Sequence, residues 1–346
     1  MNYTADRRVR YRPKLSWFDR SKGALPMMTY EGKLKELADL DHMIVVMTAE
    51  NRAAIRNLPQ ELGKRFIDVG IAEQTMIGAA AGLALRGRTP VVHSLATFLT
   101  LRAFEFIRTD VGIANLPVKL VGGVPGFLSE ANGPTHQALE DVSLMRGIPN
   151  MKVFCPADQD ELVAGLPHIL KDKSPWYIRF TAMEPVVEHY DQFAIGKAEV
   201  LVEGMDVALL TYGFMNRESW YAKEILESKG FSVRFINLRT LKPIDEATIL
   251  SAAKECSLLV TIEDHFLTGG LYSILSEILV RHERRARVLP MALDGRWFKP
   301  ALLNDVLSYE GFTGGQIASR IIVALEEKKR VLFTDKSEIV SKDDSL

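Results

Sequence analysis

Cysteine is scarce in this sequence: Cys155 and Cys256 are the only two in 346 residues. They stand far apart and fit neither a metal-binding spacing nor a redox pair, so buried thiols in a reducing compartment are expected. Excess charge is missing as well. Against 43 Lys and Arg there are 44 Asp and Glu, a formal net charge of −1, which leaves nucleic-acid binding without an electrostatic footprint over the chain as a whole. No apolar run approaches membrane-spanning length, and the first eight residues lack the apolar core of a secretory signal. The expectation is a cytoplasmic protein with no membrane or nucleic-acid partner. Repeats at a solenoid period and low-complexity stretches are also absent. What remains is an ordinary globular composition, 47% apolar and 25% charged, over a length that suits two domains.

Short apolar runs at Met43–Met47, Arg65–Val69, Thr89–His93, Val118–Val121, Met151–Phe154 and Trp176–Phe180 read as strands. Helical periodicity fills Glu73–Arg86, Phe98–Ile113, Ala138–Arg146 and Asp158–Leu170 between them. Such alternation predicts an α/β fold with a mostly parallel sheet covered on both faces. The pattern fades over 188–198, which reads as a linker. It then resumes with strands at Val207–Thr211, Ser232–Asn237, Leu258–Glu263 and Arg287–Ala292, and helices at Arg217–Lys229, Asp245–Glu255, Gly270–His282 and Thr313–Glu326. Two doubly wound domains are therefore expected, a larger one over 26–187 and a smaller one over 199–332. A basic, aromatic-containing arm (1–25) precedes them and a charged tail (333–346) follows.

Three clusters in the first domain could carry chemistry. In Gly70-Ile-Ala-Glu73, a strand turns at a glycine into a helix of small residues, so Glu73 sits in the first turn of a buried helix. A first-turn carboxylate complements the helix dipole wherever it occurs. It can equally be a catalytic carboxyl in a dry pocket, where burial raises its pKa. Phe98, Leu101 and Phe104 recur at i, i+3, i+6, a spacing that any core face shows. The third cluster, Gly126 to Gln137, is a Gly- and Pro-rich loop in which His136 follows a rigid Pro-Thr step. A histidine held there is a better functional candidate than one on an apolar helix face. His93 reads as a satisfied strand histidine.

Gly70-Ile-Ala-Glu73-Gln, Ala96-Thr-Phe98 and Gly133-Pro-Thr-His136-Gln, in this order and at these separations, resemble the pyrimidine-binding domain of transketolases and 1-deoxyxylulose-5-phosphate synthases. Leu238-Arg-Thr-Leu-Lys-Pro243-Ile-Asp245 and Glu263-Asp-His265-Phe-Leu-Thr-Gly269-Gly270 resemble the C-terminal domain of the same superfamily. The match spans roughly 28–328, and Gly-Pro-Thr-His-Gln is its most specific part. The resemblance implies thiamine diphosphate as cofactor, with a carboxyl at Glu73 that hydrogen-bonds the aminopyrimidine and favours the imino tautomer, whose nitrogen removes the thiazolium C2 proton. It implies that Phe98, Leu101 and Phe104 pack on that ring and that His136 hydrogen-bonds the donor substrate. Arg179 is implied to hold a substrate phosphate and Asn132 to stand in the substrate loop. Asn132 replaces the usual Asp. The loop over Gly126–Glu130 follows neither family's glycine pattern. Leu101 stands where the synthases carry Arg.

The Gly-Asp-Gly motif that holds the Mg²⁺ and diphosphate in such enzymes occurs nowhere in the chain, and no metal ligands are expected here. The implication is the C-terminal half of a split transketolase. A separate N-terminal subunit would bring Mg²⁺ and the diphosphate site, as an α2β2 assembly moving a two-carbon ketol unit from a ketose, expected to be phosphorylated, to an aldehyde. Two other readings stay open. One is a β subunit of a 2-oxoacid dehydrogenase E1 component or a synthase-like subunit, which a pyruvate-type donor would reveal. The other is an idle regulatory subunit, which absence of thiamine diphosphate from the assembly would reveal.

Overall fold

The computed structural model describes residues 28–189 and 192–327, so the basic arm over 1–25 and the tail over 333–346 lie outside the described residues. The six apolar runs of the first half become strands β1 (Ile44–Thr48), β2 (Phe66–Asp68), β3 (Thr89–Leu95), β4 (Lys119–Gly123), β5 (Lys152–Phe154) and β6 (Trp176–Arg179). They line up in the order β5-β6-β4-β3-β1-β2, all parallel. Every residue of β1 and β6 is buried, as expected for strands covered on both faces.

Helices α1 (Tyr30–Leu40), α2 (Leu58–Leu62), α3 (Glu73–Leu85), α5 (Asp141–Gly147) and α6 (Gln159–Lys171) surround this sheet, with a one-turn α4 (Phe104–Phe106). The sequence reading missed α1 and α2. α1 buries only Tyr30, Leu34 and Ala38, a stripe one residue wide on an otherwise polar helix. Its N-cap is legible afterwards, since the Thr29 hydroxyl accepts from Gly32 N at 3.1 Å. The stretch 98–113 departs from the regular helix expected there. Two π-helical segments, Phe98–Arg102 and Ile107–Ile113, flank α4, and a wider turn moves every later side chain off the i, i+3, i+6 line.

The second half holds β7 (Glu199–Val202), β8 (Val207–Thr211), β9 (Val233–Asn237), β10 (Thr240–Lys242), β11 (Leu258–Phe266) and β12 (Val288–Leu293). Its helices are α7 (Met215–Ser228), α8 (Glu246–Glu255), α9 (Leu271–Arg281), α10 (Leu303–Glu310) and α11 over 314–327. The sheet runs β12-β11-β8-β9-β7, parallel except for β7 at one edge. β10 does not join it. It pairs antiparallel with β5 and becomes the edge strand of the first sheet, so part of the Leu238–Asp245 motif belongs structurally to the first half.

Two buried ion clusters tie the halves together. Arg239 holds Glu161 of α6 and Glu199 of β7 at 2.6 Å each. His189 bridges Asp158 and Glu199 at 2.7 Å each. Burial alone would lower the His189 imidazole, but these carboxylates override it and raise its pKa to about 11, so it is a cation at neutral pH. In the second cluster Arg179 joins Asp141 of α5 to Asp264 of β11.

Candidate active site

Glu73 is the first residue of α3, and the chain reaches it through a tight reversal. Gly70 takes φ +71, a conformation costly for residues with a Cβ, while its N–H donates to the Asp68 carboxylate at 2.9 Å. Glu73 is 1% exposed. Ser94, at the carboxyl end of β3, donates to its Oε1 at 3.3 Å, and Arg102 donates to Oε2 at 2.8 Å. The carboxylate is therefore buried but partnered, and does not stand alone in an apolar pocket.

Arg102 carried no role in the sequence reading, which followed the aromatic stripe to Leu101. The π-helical turn explains the difference. Along it Arg102 comes back beside Phe98, its guanidinium 4.2 Å from the ring centroid, where both cation–π attraction and Glu73 hold it. Leu101 points outward and is 42% exposed. Phe104 packs against the first core. The three expected ring-packing residues thus divide, and only Phe98 meets the other candidates.

Phe98 also meets His136, the two rings edge to face with centroids 5.0 Å apart. His136 is half-buried, and its Nδ1 lies 2.9 Å from the Thr135 hydroxyl. A continuous line of contacts therefore runs Ser94, Glu73, Arg102, Phe98, His136. The loop bearing His136 is held from the second half. Gln137 donates to Phe298 O at 2.9 Å, Ala301 N donates to Glu130 O at 3.1 Å, and Leu303 N donates to the Glu130 carboxylate. Asn132 is exposed on this loop, one residue before Gly133 at φ +79.

Arg179 requires a correction. It is 3% exposed, and all three of its nitrogens donate inside the protein: Nε to Asp141 at 2.9 Å, Nη1 to the Asp264 carboxylate at 2.5 Å and Nη2 to Asp264 O at 3.1 Å. A guanidinium so committed is a tie between halves of the chain and has no free face for a phosphate. His93 is satisfied, as read from the sequence. Burial lowers its imidazole to about 4, so it is neutral. Its Nδ1 donates to Met47 O at 3.1 Å, which leaves Nε2 to accept from the Tyr30 hydroxyl at 2.9 Å.

Ile71, just before α3, and Leu101, Phe106 and Ile113, along the helical stretch that carries Arg102, are large apolar side chains left exposed. Among the described residues one grouping has the makings of a metal site, Glu161, His189 and Glu199. Arg239 already neutralises its two carboxylates, so it does not suit a magnesium ion. The residues fit one end of thiamine diphosphate: a buried carboxyl and a flat ring for the aminopyrimidine. They offer nothing for the diphosphate. No helix among the described residues is long and apolar enough to cross a membrane.

Comparison with known proteins agrees with this division. The family model for the transketolase pyrimidine-binding domain matches residues 27–184, and that for the transketolase C-terminal domain matches 196–317. The chain is 41% identical over 256 residues to the 6-deoxy-6-sulfo-D-fructose transketolase subunit SqwH of Clostridium sp. (strain MSTE9), covering 72% of this chain and 79% of that one. It is 33% identical to a putative transketolase C-terminal section of Methanocaldococcus jannaschii, covering 87% and 95%. It is also 35% identical to the 1-deoxy-D-xylulose-5-phosphate synthase of Dictyoglomus thermophilum, covering 86% of this chain but only 48% of that enzyme, so it spans about half the length of such single-chain relatives. Among solved structures, a split-gene transketolase described as an inactive β4 tetramer superposes with a TM-score of 0.77 at 31% identity, covering 86% of this chain and 97% of that one. The chain belongs to the transketolase family, as its C-terminal half.

Proposed function

We propose that this chain is the pyrimidine-binding subunit of a two-chain, thiamine diphosphate-dependent transketolase, which transfers a two-carbon ketol unit from a ketose to an aldehyde. The observation that carries the reading is the buried Glu73, held by Ser94 and Arg102, in a chain with no Gly-Asp-Gly motif. A partner docked beside the exposed Ile71 and Leu101, bearing the magnesium and diphosphate site, would bring the aminopyrimidine against Glu73.

When bound, thiamine diphosphate supplies the nucleophilic carbon and the electron sink for cleavage of the sugar. The chain's own residues supply the rest. Glu73 presents its carboxyl as the hydrogen-bonding partner for the aminopyrimidine. Ser94 fixes the orientation of that carboxyl from the sheet, and Arg102 does so from the helical face. Phe98 offers a flat apolar surface, and its covering by the partner would exclude water from the carboxyl. His136, stiffened by Thr135 and by the loop's ties to the second half, hydrogen-bonds the donor's oxygens.

The test is reconstitution with a Gly-Asp-Gly-bearing partner, thiamine diphosphate and Mg²⁺. Bound cofactor, exchange of the thiazolium C2 proton and ketol transfer are expected together. A stoichiometric complex that binds no cofactor would instead support an idle subunit. The synthase relatives at 35% identity keep one other reading in play. Pyruvate consumed in place of a ketose, with release of CO₂, would decide for it.

A further inference from the structure

Beside Glu73 lies a cavity of about 240 Å³, at the carboxyl ends of β1, β3, β4 and β6. This is the position where open parallel sheets place their ligands. Ser94 lines the cavity and also donates to Glu73, so one residue links the cavity to the candidate catalytic carboxyl. Resting on the transketolase reading, we propose that it receives the end of the donor sugar remote from the reacting carbons, and that it selects an uncharged, deoxygenated end over a phosphate.

The lining argues for that choice. Leu95, Val124 and Phe180 form its walls, and Ala53, Ala54 and Ala182 leave room at its mouth. No lysine or arginine is among the described residues that line it. His93 reaches it but is neutral, with both ring nitrogens engaged by Tyr30 and Met47. Ser94 is committed to Glu73, which leaves the half-buried Asn51 carboxamide for a single polar group. A phosphate dianion entering such a lining would lose water and gain no cation, the costly way to bury charge. Arg179, expected from the sequence to meet a phosphate, is spent on Asp141 and Asp264. Val124 holds φ +46, a conformation that is an outlier for a β-branched residue and of the kind retained at binding sites.

The experiment uses the assembled two-chain enzyme with thiamine diphosphate and Mg²⁺. It compares 6-deoxy-D-fructose with D-fructose 6-phosphate as donors to glycolaldehyde. Wild type should show a kcat/KM at least about tenfold higher for the deoxy ketose, the scale of discrimination that an apolar pocket reaches. Val124→Arg, or Ala182→Arg at the exposed mouth should the first variant fold poorly, should move the ratio toward the phosphate by at least about tenfold. Preference of the wild type for fructose 6-phosphate or its 6-sulfonate analogue would overturn the proposal alone. So would a lowered rate in both arginine variants with the donor ratio unmoved. Absence of transfer from every ketose, with no exchange of the thiazolium proton, would remove the transferase reading and this proposal with it.

Discussion

At the scale of single residues, the proposed function assigns Glu73 to the cofactor and His136 to the substrate, and substitution should separate them. Glu73→Ala removes the carboxyl that Ser94 and Arg102 hold, so cofactor-dependent turnover should fall by roughly 10²- to 10⁴-fold, the range of a lost proton-transfer group. Sedimentation should still find the complex with the partner intact, because the exposed Ile71, Leu101, Phe106 and Ile113 are untouched. Full turnover in this variant would refute the assignment. His136→Ala should lower kcat/KM for the donor while leaving cofactor affinity, read by titration, nearly unchanged. Both positions stand out as candidates in the sequence because their neighbours constrain them, Gly70 before Glu73 and Pro134-Thr135 before His136. Arg102 does not. Its role depends on a π-helical turn, and an extra residue in a turn leaves no mark in hydrophobic periodicity. Arg179 misled for the opposite reason: its residue type suits a phosphate, while its partners Asp141 and Asp264 lie far off in sequence.

At the scale of elements, the loop from Gly126 to Gln137 is positioned by close approach of its first residue to β11. Gly126 takes φ +57, and a Cβ there would lie 1.9 Å from Asp264 Oδ2 and 2.5 Å from Arg179 Nη2. Gly126→Ala should therefore destabilise the fold by about 2 kcal/mol or more, from overpacking and left-handed strain together. Thermal unfolding would measure it, and a melting temperature within a degree of wild type would show that the junction yields. The parallel strands were readable because each is a short apolar run bounded by turn residues. The short or mostly polar elements α1, α2, β7, β10 and α10 were not, because tertiary pairing and narrow buried stripes define them rather than local pattern.

At the scale of the whole molecule, the His189 cluster makes the joint between the halves dependent on pH. An imidazole raised to about 11 in the fold, against about 6.5 when unfolded, contributes its full stabilisation below pH 6.5. That contribution declines as the pH rises toward 11. His189→Gln should therefore lower the melting temperature most near pH 6, and the gap to wild type should narrow steadily by pH 10. A gap constant with pH would mean that the imidazole's charge is not what holds the joint. The exposed Ile71, Leu101, Phe106 and Ile113 give a second prediction at this scale. Charged substitution at Ile71 and Phe106 together should abolish association with the partner while circular dichroism shows the fold retained. Finally, β10 reaches back from the second half to close the edge of the first sheet. During synthesis, β5 must wait with its outer backbone groups unpaired until residue 242 has left the ribosome, and an exposed strand edge invites pairing with other chains. A fragment cut at the apparent boundary near residue 188 would keep that open edge permanently. The two halves that the sequence divides at a linker are thus a single unit of biosynthesis.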